Sequence, residues 1–408
     1  MIKKASILAL VAYLSLAGLS PGLVHAQGGP TILDSSVQVD FPSKLSFSLS
    51  AENEVNIIDI RLHYTVDRVS LAQVTSEVYI EFVPAITVDA EWVWDMRKTG
   101  GLPPGSSVEY WWTVEDAKGD RVETAPVRVW FDDTRYSWHS LTKDKVAIFW
   151  YEGDESFARE LMAAVHQALA RLAEDTSVYL EEPVRIYIYA DAEDLKGATI
   201  YPQEWVGGLA FVRYGIIAIG IAPNELVWGK RAMVHELTHL VIHQMTINPY
   251  NDLPTWLDEG LAIYTEGPLE SVFASSLNRA IAEDSLTSVR SLSSPFSAYI
   301  EESRLSYAQS YSLVEFLTAN YGRGKMLELL NTFKQGSSYD GALEQVYGFD
   351  MDSLDALWRN YVAGQDKSTE VAVPVIPTPL IGVLVGLATV LLLILGLAAE
   401  RWAWRRGW

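Results

Sequence analysis

Three of the chain's seven histidines, His235, His239 and His243, fall at four-residue intervals within RAMVHELTHLVIHQM, Arg231–Met245. The run has no proline or glycine and is mostly apolar, so it predicts a helix. On a helix His235 and His239 lie one turn apart on one side, where two neutral imidazoles can grip one zinc ion. Glu236, next to the first, is placed to take a proton from a zinc-activated water attacking an amide carbonyl. A third ligand is required. LPTWLDEGLAIY begins at Leu253 and embeds Asp258 and Glu259 in an apolar helical pattern, where a carboxylate is costly unless something satisfies it. Glu259 follows His239 by 20 positions, room for a turn at Asn248–Asp252 and a second helix packing back. His235, His239 and Glu259 leave a fourth position open, as in catalytic zinc sites. Asp258 is the alternative ligand.

HELTH followed by WLDEGLAIY resembles the gluzincin metallopeptidases, the thermolysin-like and M1-like clan, and most of all its peptidase MA-like members. The resemblance covers roughly Ser137 to Gly364. It implies a zinc peptidase with ligands His235, His239 and Glu259 and general base Glu236. SYAQSYSLVEFL, Ser306–Leu317, resembles the M1 segment whose tyrosine binds the oxyanion, which implies that role for Tyr307, with Tyr311 as the alternative. M1 members have 18 residues between the second histidine and the glutamate. Here there are 19. The Gly-x-Met-Glu-Asn motif that holds a substrate's free amine in M1 aminopeptidases is missing. GGLAFVRYGIIAIG, in a comparable place, reads instead as an edge strand for an extended peptide, so an endopeptidase is expected. In the metzincin pattern a third histidine would stand at Met245 and a glycine at Ile242, so His243 is expected in a supporting role rather than on the metal.

The elements that must position these residues begin with seven short runs rich in β-branched and aromatic residues between about 31 and 132. They predict an immunoglobulin- or fibronectin-like β-sandwich. After residue 132 a few strands precede several helices, an α+β peptidase domain. The expected division is a signal peptide over 1–26, a β-sandwich over 27–132, a zinc peptidase domain over 133–364 and a linker over 365–379. A transmembrane helix over 380–399 and a cytoplasmic tail over 400–408 complete it. Lys3, Lys4, an apolar run and VHA ending at Ala26 carry the signal-peptide reading. The 20 uncharged residues Leu380–Ala399, followed by Arg401, Arg405 and Arg406 among tryptophans, carry the membrane helix. Together they predict a single-pass protein of the cell membrane with an extracytoplasmic body.

A net charge of −21 argues against nucleic acid as partner, and a peptide or protein substrate is expected. Without cysteine, any metal site must use His, Asp or Glu. A catalytically inactive peptidase-like adhesion protein and a zinc hydrolase of a non-peptide substrate remain the alternatives.

Overall fold

The computed structural model describes residues 29–72, 74–201 and 207–369. Its N-terminal part is a β-unit: β1 (Thr31–Asp40), β2 (Lys44–Val66), β3 (Ser76–Tyr79), β4 (Ala85–Asp95), β5 (Ser106–Asp116), β6 (Arg121–Glu123) and β7 (Val127–Phe131). Two of the seven runs expected as separate strands, KLSFSLS (Lys44–Ser50) and NIIDIRLHYTV (Asn56–Val66), are one 23-residue strand, β2. No proline or glycine interrupts the Ala51–Asn56 joint between them. β2 instead shifts register against its neighbours between Glu52 and Ile57. Its first half pairs with β1 and β4, its second with β3 and β5. The layers meet face to face: Phe47 packs on Tyr110, and Tyr64 on Trp92 and Trp94, with ring centroids 4.7–5.6 Å apart. So the layering is that of a sandwich, but a single hydrogen-bonded sheet folds on itself, which corrects the immunoglobulin- or fibronectin-like arrangement.

The second part contains β8 (His139–Lys143), β9 (Val146–Trp150), α1 (Glu155–Thr176), β10 (Val184–Tyr189), α2 (Ala192–Lys196), β11 (Gly208–Phe211) and β12 (Ile216–Gly220). Then come α3 (Leu226–Thr246), α4 (Thr255–Glu266), α5 (Ser271–Ala282), α6 (Ile300–Tyr321), α7 (Arg323–Lys334), α8 (Tyr339–Tyr347) and α9 (Met351–Thr369). α9 thus continues five residues into the segment expected as a linker. The strands order as β11-β12-β10-β9-β8, with β11 antiparallel at one edge. The run Gly207–Pro223, expected as one extended strand, is a hairpin, because Gly215 adopts a left-handed φ of 63° and reverses the chain.

Alternation along β10 explains how the parts join. Val184, Ile186 and Ile188 face the helices, in one core with Ile217, Ile219 and the apolar sides of α1, α3, α4 and α6. Tyr187 and Tyr189 point the other way, into the core of the β-unit. Both faces of this sheet are therefore covered. The connector Asp132–Trp138 locks the seam. Fully buried Asp133 accepts hydrogen bonds from Arg135, at 2.9 and 2.7 Å, and from Tyr189 Oη at 3.0 Å. Trp138 stands edge-on to Tyr151, Tyr187 and Tyr189.

The expected transmembrane helix and single-pass topology are corrected: among the described residues, no helix is long and apolar enough to cross a membrane. The long described helices carry charges along their lengths, as α1 does with Glu155, Arg159, Glu160, Arg171, Glu174 and Asp175. Leu380–Ala399 and the signal-peptide segment 1–26 lie outside the described residues.

Candidate active site

α3 buries Met233, Val234, Leu237, Leu240, Val241 and Ile242 and turns a polar stripe, Arg231, His235, His239 and His243, toward a cleft. α4 supplies the facing acids Asp258, Glu259 and Glu266. α6 supplies Tyr307 and reaches α4 through Gly260, where a Cβ would stand 2.5 Å from the Ser310 carbonyl oxygen. That close backbone approach draws Tyr307 in, its ring centroid 6.3 Å from that of His235. Phe296, at 5.1 Å, and Phe273, at 6.4 Å, wall the phenol on its other sides.

The Nε2 atoms of His235 and His239 are 3.1 Å apart, and each faces Glu259 Oε2, at 3.2 and 3.4 Å. That oxygen is buried with no hydrogen-bond partner. Zinc held by nitrogen and oxygen at about 2.0–2.1 Å in a tetrahedron separates its ligands by about 3.3 Å. The three edges match that spacing, and Glu259 Oε2 has no other partner. The donor set therefore fits zinc. His239, His243 and Asp258 form a second, overlapping group of potential ligands.

Behind each imidazole stands a carboxylate. His235 Nδ1 donates to Glu266 Oε1 at 2.8 Å, and Glu266 Oε2 accepts from Arg231 at 3.0 and 3.2 Å. His239 Nδ1 lies 3.0 Å from Asp258 Oδ1, not aligned as a hydrogen bond, and Asp258 Oδ2 is 3.1 Å from His243 Nε2. These acids control the protonation of the cluster. Burial disfavours charge on His235, but the carboxylates of Glu259 and Glu266 beside it outweigh that and raise the pKa to about 9. On His239 burial is likewise overcome, by the charges of Asp258 and Glu259. Glu259 resists its own burial because of His239 and His235, and sits at about 2.

Glu236 lies under β11, where a Cβ on Gly208 would stand 3.0 Å from its Oε1. Burial raises its pKa, Glu259 adds to the rise, and the histidines and the Ala210 backbone N–H offset part of it. The cleft, of about 680 Å³, is bounded by β11, by the site residues and by Gly100–Leu102 of the β-unit. Across Glu236 a second cavity of about 330 Å³ continues past Trp228, Arg231 and Glu270.

His235, Glu236, His239, Glu259 and Tyr307 are thus brought together. Tyr311 is not among them: it packs on Tyr264, at 5.6 Å, away from the cleft. Glu266 and Arg231 escaped the sequence reading, although a signal was there. Glu266 is seven residues after Glu259, two turns along the same helix face, and Arg231 is one turn before His235.

No curated protein matches the chain. Among solved structures it is similar to an M1 zinc metallopeptidase variant from Deinococcus radiodurans, at 11% identity over 86% of this chain and 97% of that one, with a TM-score of 0.31. Legionella pneumophila aminopeptidase A matches at 10% identity over 81% of this chain and 49% of that one, with a TM-score of 0.36. OgpA from Akkermansia muciniphila matches at 8% over 25% and 28%, with a TM-score of 0.19. Scores of this size establish no shared fold. Residues 164–364, the segment that carries every donor of the site, match the model of the Peptidase MA superfamily, which supports a metallopeptidase of gluzincin type.

Proposed function

We propose that this chain is a zinc-dependent peptidase that cuts internal bonds of extended peptides. His235, His239 and Glu259 hold the ion, Glu236 is the general base and Tyr307 binds the oxyanion. The observation that carries the reading is the triangle of two Nε2 atoms and one unpartnered carboxylate oxygen, with edges of 3.1, 3.2 and 3.4 Å. When bound, zinc supplies Lewis acidity, which lets water attack an amide near neutral pH.

Glu236 takes the proton of the attacking water. Its raised pKa brings it closer to the working pH, so the same carboxyl can return the proton to the leaving amine. The Ala210 N–H favours the charged form of that carboxyl, and the bare face of Gly208 leaves it room. Tyr307 stays protonated, because burial and then the nearby Glu259 and Glu236 charges raise its pKa, so it acts as a hydrogen-bond donor to the developing oxyanion. β11 offers a sheet edge to an extended peptide. The two cavities on either side of Glu236 support internal cleavage, since chain has room to run in both directions from the reacting bond. In this reading residues 27–132 form the β-domain and 133–364 the peptidase domain.

The test uses the full chain. It is expected to bind about one zinc and to cleave an unstructured protein, and Glu236→Gln is expected to keep the zinc and lose the cleavage. A protein that takes up no zinc ends the proposal. One that binds zinc but cleaves no peptide of a random library rules out peptidase action.

A further inference from the structure

His243 is the member of the α3 stripe that the hydrolytic chemistry leaves without a task. Resting on the zinc reading above, we infer that His243 is a positioning residue: it ties Asp258, and Asp258 orients the His239 ring so that Nε2 points at the metal site. A neutral imidazole has one N–H and one lone pair. If Nε2 of His239 is the ligand, Nδ1 carries the hydrogen and needs an acceptor. Asp258 Oδ1 lies 3.0 Å from Nδ1, as an ion-pair contact rather than an aligned hydrogen bond. The other oxygen, Oδ2, is 3.1 Å from His243 Nε2, which donates to it and stops the carboxylate from swinging away.

The other ligand has a comparable backing, there with an aligned hydrogen bond. Glu266 holds Nδ1 of His235 with one oxygen, and Arg231 holds the second oxygen of Glu266. In both cases α3 supplies the imidazole and also the group that ties its carboxylate, one turn away. Four residues overshoot a helical turn by about 40°. From 231 to 243 the stripe therefore swings by about 120° and meets Glu266, Glu259 and Asp258 in succession. This accounts for three histidines at intervals of four when only two face Glu259.

The same atoms could serve a second metal ion on His239, His243 and Asp258. With Nε2 already a ligand, that use would strip His239 of its last ring proton and make it an imidazolate, a form far from accessible to an ordinary imidazole near neutral pH. The positioning role requires no such step.

The experiment compares full-length wild type with His243→Leu and His243→Gln. It measures zinc per chain, zinc affinity against a chromogenic chelator, the visible spectrum of the cobalt-substituted protein, and kcat and KM on an unstructured protein. Wild type is expected to bind one zinc. Leucine is expected to weaken zinc binding by about tenfold or more, the usual effect of losing an outer partner, to alter the cobalt spectrum, and to lower kcat with KM unchanged. Glutamine, whose amide still donates to Asp258, is expected to restore most of the affinity. If both variants keep wild-type affinity and spectrum, the inference is overturned. Two zinc ions in wild type and one in the leucine variant would overturn it in favour of a second metal site. A wild-type chain without zinc affinity removes the peptidase reading and this inference together, whereas unchanged variants remove the inference alone.

Discussion

Glu236, Tyr307 and His235 each carry a separable consequence. Replacing Glu236 with Gln removes a base but keeps the shape, so cleavage is expected to fall by about 10²–10⁴-fold with zinc content unchanged. Tyr307→Phe removes one donor to the oxyanion. A loss of about 10²–10³-fold in kcat with little change in KM is expected, and a KM effect without a kcat effect would assign the phenol to substrate binding instead. On His235, a proton and a metal compete for Nε2. Glu259 and Glu266, against the opposing effect of burial, hold its pKa up at about 9, so the imidazolium form predominates below that value. Binding must expel the proton, and zinc affinity is therefore expected to fall as the pH is lowered from 8.5 to 6, with proton release on binding. Affinity that stays flat over this interval in a chelator-competition titration would contradict the assignment of His235.

At the scale of elements, the site depends on how closely α4 and α6 approach. Gly260 stands in WLDEG beside the candidate ligand, yet its role is in packing: a Cβ there meets Ser310 O at 2.5 Å and Val314 Cγ2 at 2.8 Å. Gly260→Ala is expected to push the helices apart and cost about 1–3 kcal/mol of stability, measured by denaturant unfolding. Tyr307 moves with α6, so activity is expected to fall by more than zinc affinity does. Stability equal to wild type would mean that the two helices yield easily. The helical periods of α1, α3, α4 and α6 were legible, because apolar residues recur at three and four positions. The hairpin β11–β12 was not, because its turn, VRYG, carries none of the usual two-residue turn pairs.

For the whole molecule, the β-unit shares a core with the face of the five-stranded sheet that the long helices leave free, and the N-terminal part contributes to the cleft. Gly100–Leu102 form part of its wall. Asp133 at the seam has a fully buried side chain and is paired with Arg135. Asp133→Ala leaves that guanidinium and the Tyr189 hydroxyl without their acceptor. A loss of about 3 kcal/mol is expected, visible as a lower denaturant midpoint, and a change below about 1 kcal/mol would show that the seam is held by apolar contact alone.

The sequence by itself named the histidines and the acids that the structure brings together, because helical periodicity is local and a metal-binding pair one turn apart is written within five residues. Tyr307 entered only through the resemblance to the M1 segment, with Tyr311 beside it. The sequence also led to a membrane helix for which the described residues offer no counterpart. Which tyrosine enters the cleft, which acid faces the Nε2 pair and which one backs His239 were decided only by the tertiary structure. Asp258 and Glu259 are neighbours in sequence, but they point about 100° apart on α4, and only the packing of α4 on α3 chooses between them.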